Sequence, residues 1–485
     1  MIFDNRYNLA YLNLTSKLMK KLLTLTASLF LCGVMFAGGL VTNTNHSASY
    51  TRMQCRDATL GIDAVYFNPA GLTKLQDGFH LSLSNQTISQ TQTISSDYVF
   101  LKGQPVTYQG DVSAPLFPSV YAAFKTGKLV FSAGFNPIGG GGGAEYKTGL
   151  PSFENQVSEL VPLLVSQGIP TTDYSADIYF KGSSIYFGYQ GNVSYEVNDM
   201  ISLAAGLRYV SAKNTYEGSL KNISINPTYP AFGAAFDGSM GLASSFFASG
   251  ATTLNGIAFG ASSFVTGLQP LVDGGAGSTL LANGTSVGLT ATQVGQIQQI
   301  LGAAGLTPAQ IGAIDIATAQ GTLAVAGPGF TTKANLMTGY AQQTGDLTVD
   351  ASESGHGFTP IISANISPSE KLNIAVKYEF KTTLELTTTV VDNNGGGIFT
   401  DGAKVIADMP AQLVLGLTYK PMDKLLVSTG AHYYFDKNVD YDKSDALDIN
   451  MIDKNFVEYA LGLQYNISDK FAASGGWLTT ITGVN

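Results

Sequence analysis

Side chains able to do covalent or metal chemistry are few and scattered. The four histidines, His46, His80, His356 and His432, share no metal-ligand spacing, and no short hydrolase motif accompanies them. Cys32 and Cys55 are the only cysteines, which gives no disulfide framework and no zinc pattern. The glycine run 139–143 is not followed by Gly-Lys-Ser/Thr, so a phosphate-cradling loop is excluded. An enzymatic reading, such as a membrane lipase, would need a serine and an acid brought beside His80 or His432, a proximity that sequence does not display. No catalytic residue, metal site or cofactor is assigned. The charged residues with a candidate role are Arg208, Lys377 and Lys381, each predicted to face inward from a strand. They could attract a carboxylate, or pair with Glu379, Glu385 or other acids.

The elements positioning these residues alternate apolar and polar side chains, the period of a β-strand. In 201–209, Ile201, Leu203, Leu207 and Tyr209 share one face, opposite Ser202, Gly206 and Arg208. Leu372, Ile374, Val376, Tyr378, Phe380, Leu384 and Leu386 oppose Asn373, Lys377, Glu379, Lys381 and Glu385. Tyr459, Leu461, Leu463 and Tyr465 alternate with Glu458, Ala460, Gly462 and Gln464. Tight joins at 125–128, 196–199, 368–371, 421–424 and 468–470 alternate with long connections at 97–118, 138–183, 217–357, 388–409 and 437–454. That rhythm belongs to an antiparallel up-and-down transmembrane β-barrel, with short turns on one membrane side and long loops on the other.

Eleven strands are predicted, near 78–95, 117–125, 128–137, 183–196, 200–216, 358–367, 371–387, 410–420, 424–436, 455–466 and 470–481. Many match the ~9–11 residues of a tilted membrane strand. Aromatic residues at strand ends, including Tyr186, Phe187, Tyr195, Tyr209, Tyr378, Tyr419, Tyr433, Tyr434, Phe435 and Tyr465, are expected to form interfacial girdles. Helical insertions are expected at 153–167, kinked by Pro162, and at 290–304 and 307–319, where Thr290 with Gln293 and Thr307-Pro308 read as helix starts.

Composition agrees. Only 13% of the 485 residues are charged, about half the soluble norm of roughly 25%. A net charge of −9 without a basic stripe excludes nucleic acid as a partner. At the N-terminus, Lys20 and Lys21 precede the apolar 22–36 and the small residues Ala37, Gly38 and Gly39, which reads as a cleaved export signal over 1–37, with translation starting at Met19. Phe135, Asn136 and Pro137, followed by Gly139 and Gly140, are expected to break sheet pairing at the end of the third strand. The break is either an opening in the wall or a silent hinge.

The segment 38–76 lacks strand alternation and carries Asn68-Pro69-Ala70-Gly71-Leu72, preceded by Ser47-Ala48-Ser49 and Asp57-Ala58. With Gly191-Asn192-Val193-Ser194-Tyr195, Ala205-Gly206-Leu207-Arg208-Tyr209, Lys377-Tyr378-Glu379-Phe380-Lys381 and Pro410, this resembles the FadL-type outer-membrane transporters of long-chain fatty acids and other hydrophobic compounds. The resemblance runs from the hatch to about residue 481, most of 222–355 excepted. It implies a fourteen-stranded barrel, of which about eleven strands are present here, so the barrel over 77–485 reads as lacking its last three. It also implies a hatch over 38–76 plugging the lumen, with Gly38, Gly39, Leu40, Asn68, Pro69, Ala70 and Gly71 on the ligand path, and a lateral opening at Phe135–Gly140. Long extracellular loops, 138–182 and 217–357, would capture ligand. The expected partners are fatty acids or aromatic hydrocarbons, outer-membrane lipid and the barrel-assembly machinery, and the expected state is a monomer. A structural or adhesive barrel displaying its loops, or a general porin, is the alternative.

Overall fold

The computed structural model describes residues 42, 47–394, 397–439 and 452–483. The export signal, its cleavage bond, and Gly38, Gly39 and Leu40 lie outside the described residues. One antiparallel sheet dominates, and nearly every strand pairs with its neighbour in sequence. The wall runs through β1 (Gly78–Ser96), β2 (Val106–Thr126), β3 (Leu129–Tyr146), β4 (Tyr174–Glu196) and β5 (Ile201–Ile225). After the two-residue β6 (Gly241–Leu242) it continues through β7 (Leu347–Ser369), β8 (Leu372–Glu379) and β9 (Glu385–Asn394). The short β10 (Lys404–Ile406), β11 (Gln412–Met422), β12 (Leu425–Tyr434), β13 (Phe456–Asn466) and β14 (Ala472–Ile481) complete it. All eleven expected strands are present, β8 and β9 being two halves of the seventh.

The sheet is polar on its concave face and apolar on its convex face, the reverse of a soluble sandwich. Leu83 is 68% exposed and Ile362 52%, whereas Ser194, Ser202, Asn365 and Glu458 are wholly buried. An apolar outer band with a polar interior is stable only where the outside solvent is lipid. Tyr195, Tyr419 and Tyr465 form one outward girdle near the tight turns. A continuous run of rings, Phe187, Phe135, Tyr189, Tyr209 and Phe358, forms part of the other. Tyr186 and Tyr434, expected in the girdles, instead point inward and are buried, because they sit on the opposite strand parity from their aromatic neighbours.

Several strands are longer than expected. β4 and β5 span 23 and 25 residues, so the loops expected at 138–182 and 217–357 begin and end as sheet, and the true connections are 147–173 and 226–346. A membrane crossing uses about ten residues, so the rest of these strands projects beyond the bilayer. The seventh strand also departs from its expected alternation. Phe380 and Lys381 both face outward, and this one-residue slip flips every later side chain. Leu384 and Leu386 therefore turn inward and are fully buried, while Glu385, expected inward, is exposed beside Lys404.

The projecting strand ends carry the helices. α3 (Pro151–Ser158) and α4 (Leu160–Ser166) break at Glu159 rather than at Pro162, which sits harmlessly in the first turn of α4. They pack Val157, Leu160 and Leu164 against Ile178, Leu220 and Ile223. Beyond them α5 (Ala243–Leu271) lies antiparallel to α8 (Ile316–Gln343), with Phe247 on Tyr340 near one end and Gln320 bonded to Gln269 near the other. At ~1.5 Å per residue this pair is about 42 Å long. α6 (Ala291–Ala303) begins with the expected Thr290/Gln293 capping box. The second expected helix is split: α7 (Pro308–Ala313) stops at extended Ile314, and Asp315 caps α8.

Asp315 accepts from the Thr318 backbone N–H, and this hydrogen bonding holds its carboxyl below the usual carboxylate range. Its contribution to the start of α8 is therefore present above the unfolded-state value and lost as pH falls through the lowered folded one. Acid titration should loosen α8 only at the acid end, and Asp315→Asn should flatten that response. Hydrogen exchange across residues 316–320 reads the outcome.

Candidate functional site

The concave face is filled by the segment 47–76, which would otherwise carry many unsatisfied backbone groups. Ser47 caps α1 (Ala48–Arg52), and a short helix α2 (Ala64–Phe67) leads into a 3-10 turn, Pro69–Lys74. Pro69 opens that turn at a position whose N–H needs no partner. Gly71 is required, since a Cβ there would lie 2.3 Å from the Asn68 amide. Asn68 in turn donates to Thr59 O (3.0 Å) and to Asn365 Oδ1 (2.8 Å), tying the motif to β7.

Inward polar side chains of the wall satisfy the rest. Gln190 and Asn192 donate to Val65 O, Ser194 donates to Pro69 O, and Asn373 donates to Ala58 O. Ser363 accepts from the Ala70 N–H, and Thr73 meets Ser202 at 2.6 Å. Buried polar groups must be paired, so the polar residues inside this wall are a negative imprint of the segment's backbone. Thr51 reaches Gln86 on β1 while the adjacent Arg52 reaches Gln464 and Ser474 on β13 and β14. The sheet thus curls until both of its ends touch α1.

Close approach depends on glycines. A Cβ at Gly416 would lie 2.6 Å from the Ala58 nitrogen, one at Gly430 1.7 Å from Asp57 Oδ2, and one at Gly476 2.4 Å from the Gln54 nitrogen. Residues 53–58 therefore lie directly on the backbone of β11 to β14.

Two charge clusters join segment and wall. Arg208 forms a two-pronged pair with Glu379 (2.6 and 2.9 Å) and also donates to Gln190. Lys377 donates to the same carboxylate (2.7 Å) and to Tyr66 O (3.0 Å), and both cations sit 4.7 Å from the Tyr66 ring. Lys381 is elsewhere, half-exposed and paired with Asp408. The second cluster centres on His432, which is buried. Its Nε2 lies 2.8 Å from Asp57 and its Nδ1 2.7 Å from Glu458. Sequence reasoning did not find Asp57 and Glu458 as its partners, because 375 and 26 residues separate them from it. The ring's remaining hydrogen-bond neighbour among the described residues is Tyr434, not a serine.

The wall itself has a discontinuity. β2 and β3 pair at Gly110 and Asp111 with Tyr146 and Glu145, and again from Val120 to Thr126 with Phe135 to Leu129. Between these stretches, 112–119 and 136–144 do not pair with each other. Pro115, Pro118 and Pro137 lack the N–H that a ladder needs. Gly140 and Gly142 adopt φ of 86° and 66°, and β3 slips twice against β4 between Pro137 and Gly142. Asn136, Pro137, Ile138, Gly139 and Gly140 are all buried, and Ile138 joins the apolar cluster of Tyr66, Phe67 and Tyr186. Gly139 also makes an isolated bridge to Thr42, ahead of the inner segment. At ~3.4 Å per residue the unpaired interval of β2 is about 27 Å long. Asn68, Pro69, Ala70 and Gly71 lie in the inner segment, and Phe135, Asn136, Pro137, Gly139 and Gly140 border the interval.

A polar-lined concave face, an apolar belt and a segment filling the interior decide the architecture. The chain forms a plugged transmembrane β-sheet. No family model and no curated protein matches the sequence. Solved structures similar to it include the toluene transporter TbuX of Ralstonia pickettii, 14% identical, with 87% of this chain and 82% of that one covered at a TM-score of 0.44. A FadL homologue of Pseudomonas aeruginosa is 12% identical over 92% and 82% of the chains (TM-score 0.47), and the toluene transporter TodX of Pseudomonas putida 12% over 93% and 85% (TM-score 0.44).

Proposed function

We propose that this chain is a bacterial outer-membrane channel for passive uptake of hydrophobic compounds, exported by a cleaved signal over 1–37. In this reading 38–76 is the hatch, 77–485 the barrel, and the unpaired interval between β2 and β3 the lateral way out. The observation carrying it is that interval: a β-wall in lipid keeps its backbone paired, and tolerates unpaired edges only where protein or a passage covers them. An apolar molecule is repelled by the hydrated layer outside but dissolves in the bilayer, so a side exit avoids crossing the wet lumen in full. Weak apolar sites suffice if each releases to the next. Arg208 and Lys377 serve chiefly to seat the hatch, since Glu379 already engages both.

Labelling tests the exit. A cysteine at Ala114 or Gly143, alkylated with a bulky hydrophobic maleimide, should slow uptake of a radiolabelled aromatic hydrocarbon at least tenfold, whereas labelled Leu207→Cys on the intact wall should not. Unchanged uptake in the labelled Ala114 and Gly143 variants would sink the lateral route. Cells lacking the gene that took up the compound equally well would favour a display role for the long α5–α8 pair, and liposome swelling in small sugars would favour a porin.

A further inference from the structure

Glu353 on β7 stands out among the buried acids of the concave face. Asp57, Asp63, Glu379 and Asp408 each have a histidine, arginine or lysine within ion-pair distance, whereas Glu353, only 4% exposed, has none among the described residues. Its Oε2 accepts from Asn214 Nδ2 (3.0 Å) and from the Tyr216 hydroxyl (3.2 Å), and no described side chain donates to Oε1. Asn214 is itself 8% exposed, and its Oδ1 is a buried acceptor without a partner. A carboxylate without a cation and a buried acceptor without a partner thus sit on facing residues. Such groups are costly to bury unless something satisfies them.

Their position matters. Asn214 is in register with Glu353 on one side and with Ser184 on the other, and Tyr186, two residues along β4, is in register with Gly139 at the break in β3. Ala212, two residues from Asn214 on β5, and Tyr186 on β4 and Leu386 on β9, each two residues from a register partner of the pair, belong to the apolar cluster that includes Ile138. An apolar surface carrying the Asn214 acceptor and the Glu353 carboxylate therefore adjoins the unpaired interval.

We propose that Glu353 and Asn214 form a head-group site that selects apolar molecules carrying a hydrogen-bond donor, a hydroxyl or an ammonium, and rejects free carboxylates. A donor would satisfy Asn214 Oδ1 and be drawn to the neighbouring Glu353 carboxylate, whereas a carboxylate would face a like charge with no cation to offset it. This rests on the uptake reading above and narrows its substrate class.

The test is equilibrium binding to the purified full-length protein in detergent, using toluene and three ten-carbon chains ending in hydroxyl, ammonium or carboxylate. Decanol or decylamine should bind at least tenfold more tightly than decanoate, with the two donor arms telling hydroxyl from ammonium. Glu353→Gln keeps an acceptor for Tyr216 but removes the charge, and should shrink that preference to within about threefold. Decanoate binding the unmodified protein as well as decanol would overturn the site, as would a preference unchanged in Glu353→Gln. The wild-type comparison stands even if the variant fails to fold. Toluene bound without any head-group preference would remove only this inference, and no binding in any arm would remove the uptake reading with it.

Discussion

Alanine at Gly476 should loosen the hatch, and alanine at its neighbour Gly475 should not. The two glycines are adjacent on β14, yet a Cβ at Gly476 would meet the Gln54 backbone nitrogen at 2.4 Å while one at Gly475 meets nothing within 4 Å. The obstruction is backbone, so no rotamer change relieves it, and either residues 53–58 or the strand must move. Overpacking of this kind costs about 1–3 kcal/mol. Gly416→Ala presses on Ala58 and Asp57 from another strand, and the pair combined should exceed either alone. The strands retain their own ladders, so the loss should fall on the hatch. Gly476→Ala should make liposomes permeable to small sugars and open Arg52 and Arg56 to trypsin, while the barrel keeps its heat-modifiable mobility on gels. Equal leak in the Gly475 and Gly476 variants would show that the hatch is not seated on these glycines.

How much of this was legible beforehand depends on the range of each interaction. Strand existence and facing could be read because a period of two is local, and Ile201 to Tyr209 and Tyr459 to Tyr465 behave as their sequence demands. The parity slip at Phe380 and Lys381 could not, because a bulge is one extra residue whose presence shows only in what it pairs with. It sent Leu384 and Leu386 to the wrong face. Helix starts at Thr290 and Thr307 were legible from capping chemistry, whereas α5 and α8 were not. Their interiors are Gly-, Ser- and Thr-rich, with Pro270 and Pro328 inside, and they are held chiefly by packing on each other and on α6. Pro137 and the glycines after it marked the break in β3, but its other edge, set by Pro115 and Pro118, showed only in the register. The Asp57–His432–Glu458 cluster joins residues remote in sequence, so topology alone brings it together, whereas pairing of Arg208 and Lys377 with Glu379 was one of the two roles open to these inward cations.

The second of those clusters should be the most sensitive point for stability. Arg208, Lys377 and Glu379 are 3%, 4% and 5% exposed, and two cations share one carboxylate. Removing the acid does more than delete two ion pairs, because both cations then remain buried beside each other against one tyrosine ring. Breaking a buried pair from one side costs about 3–5 kcal/mol. Glu379→Gln should therefore lower the unfolding midpoint of the detergent-solubilised protein steeply, and free Tyr66 and the hatch with it, since Lys377 also holds the Tyr66 carbonyl. Lys381→Ala is the contrast: that side chain is 39% exposed, so water already screens the pair, and Asp408, though buried, keeps the Leu384 N–H, so the loss should be clearly smaller than in Glu379→Gln. The triple change Arg208→Met, Lys377→Met and Glu379→Leu removes every charge of the cluster at once. It should recover much of the stability lost in Glu379→Gln, because the dominant cost is uncompensated charge rather than missing contact. If the triple variant unfolds as readily as Glu379→Gln, hydrogen-bond geometry and not charge balance governs the cluster.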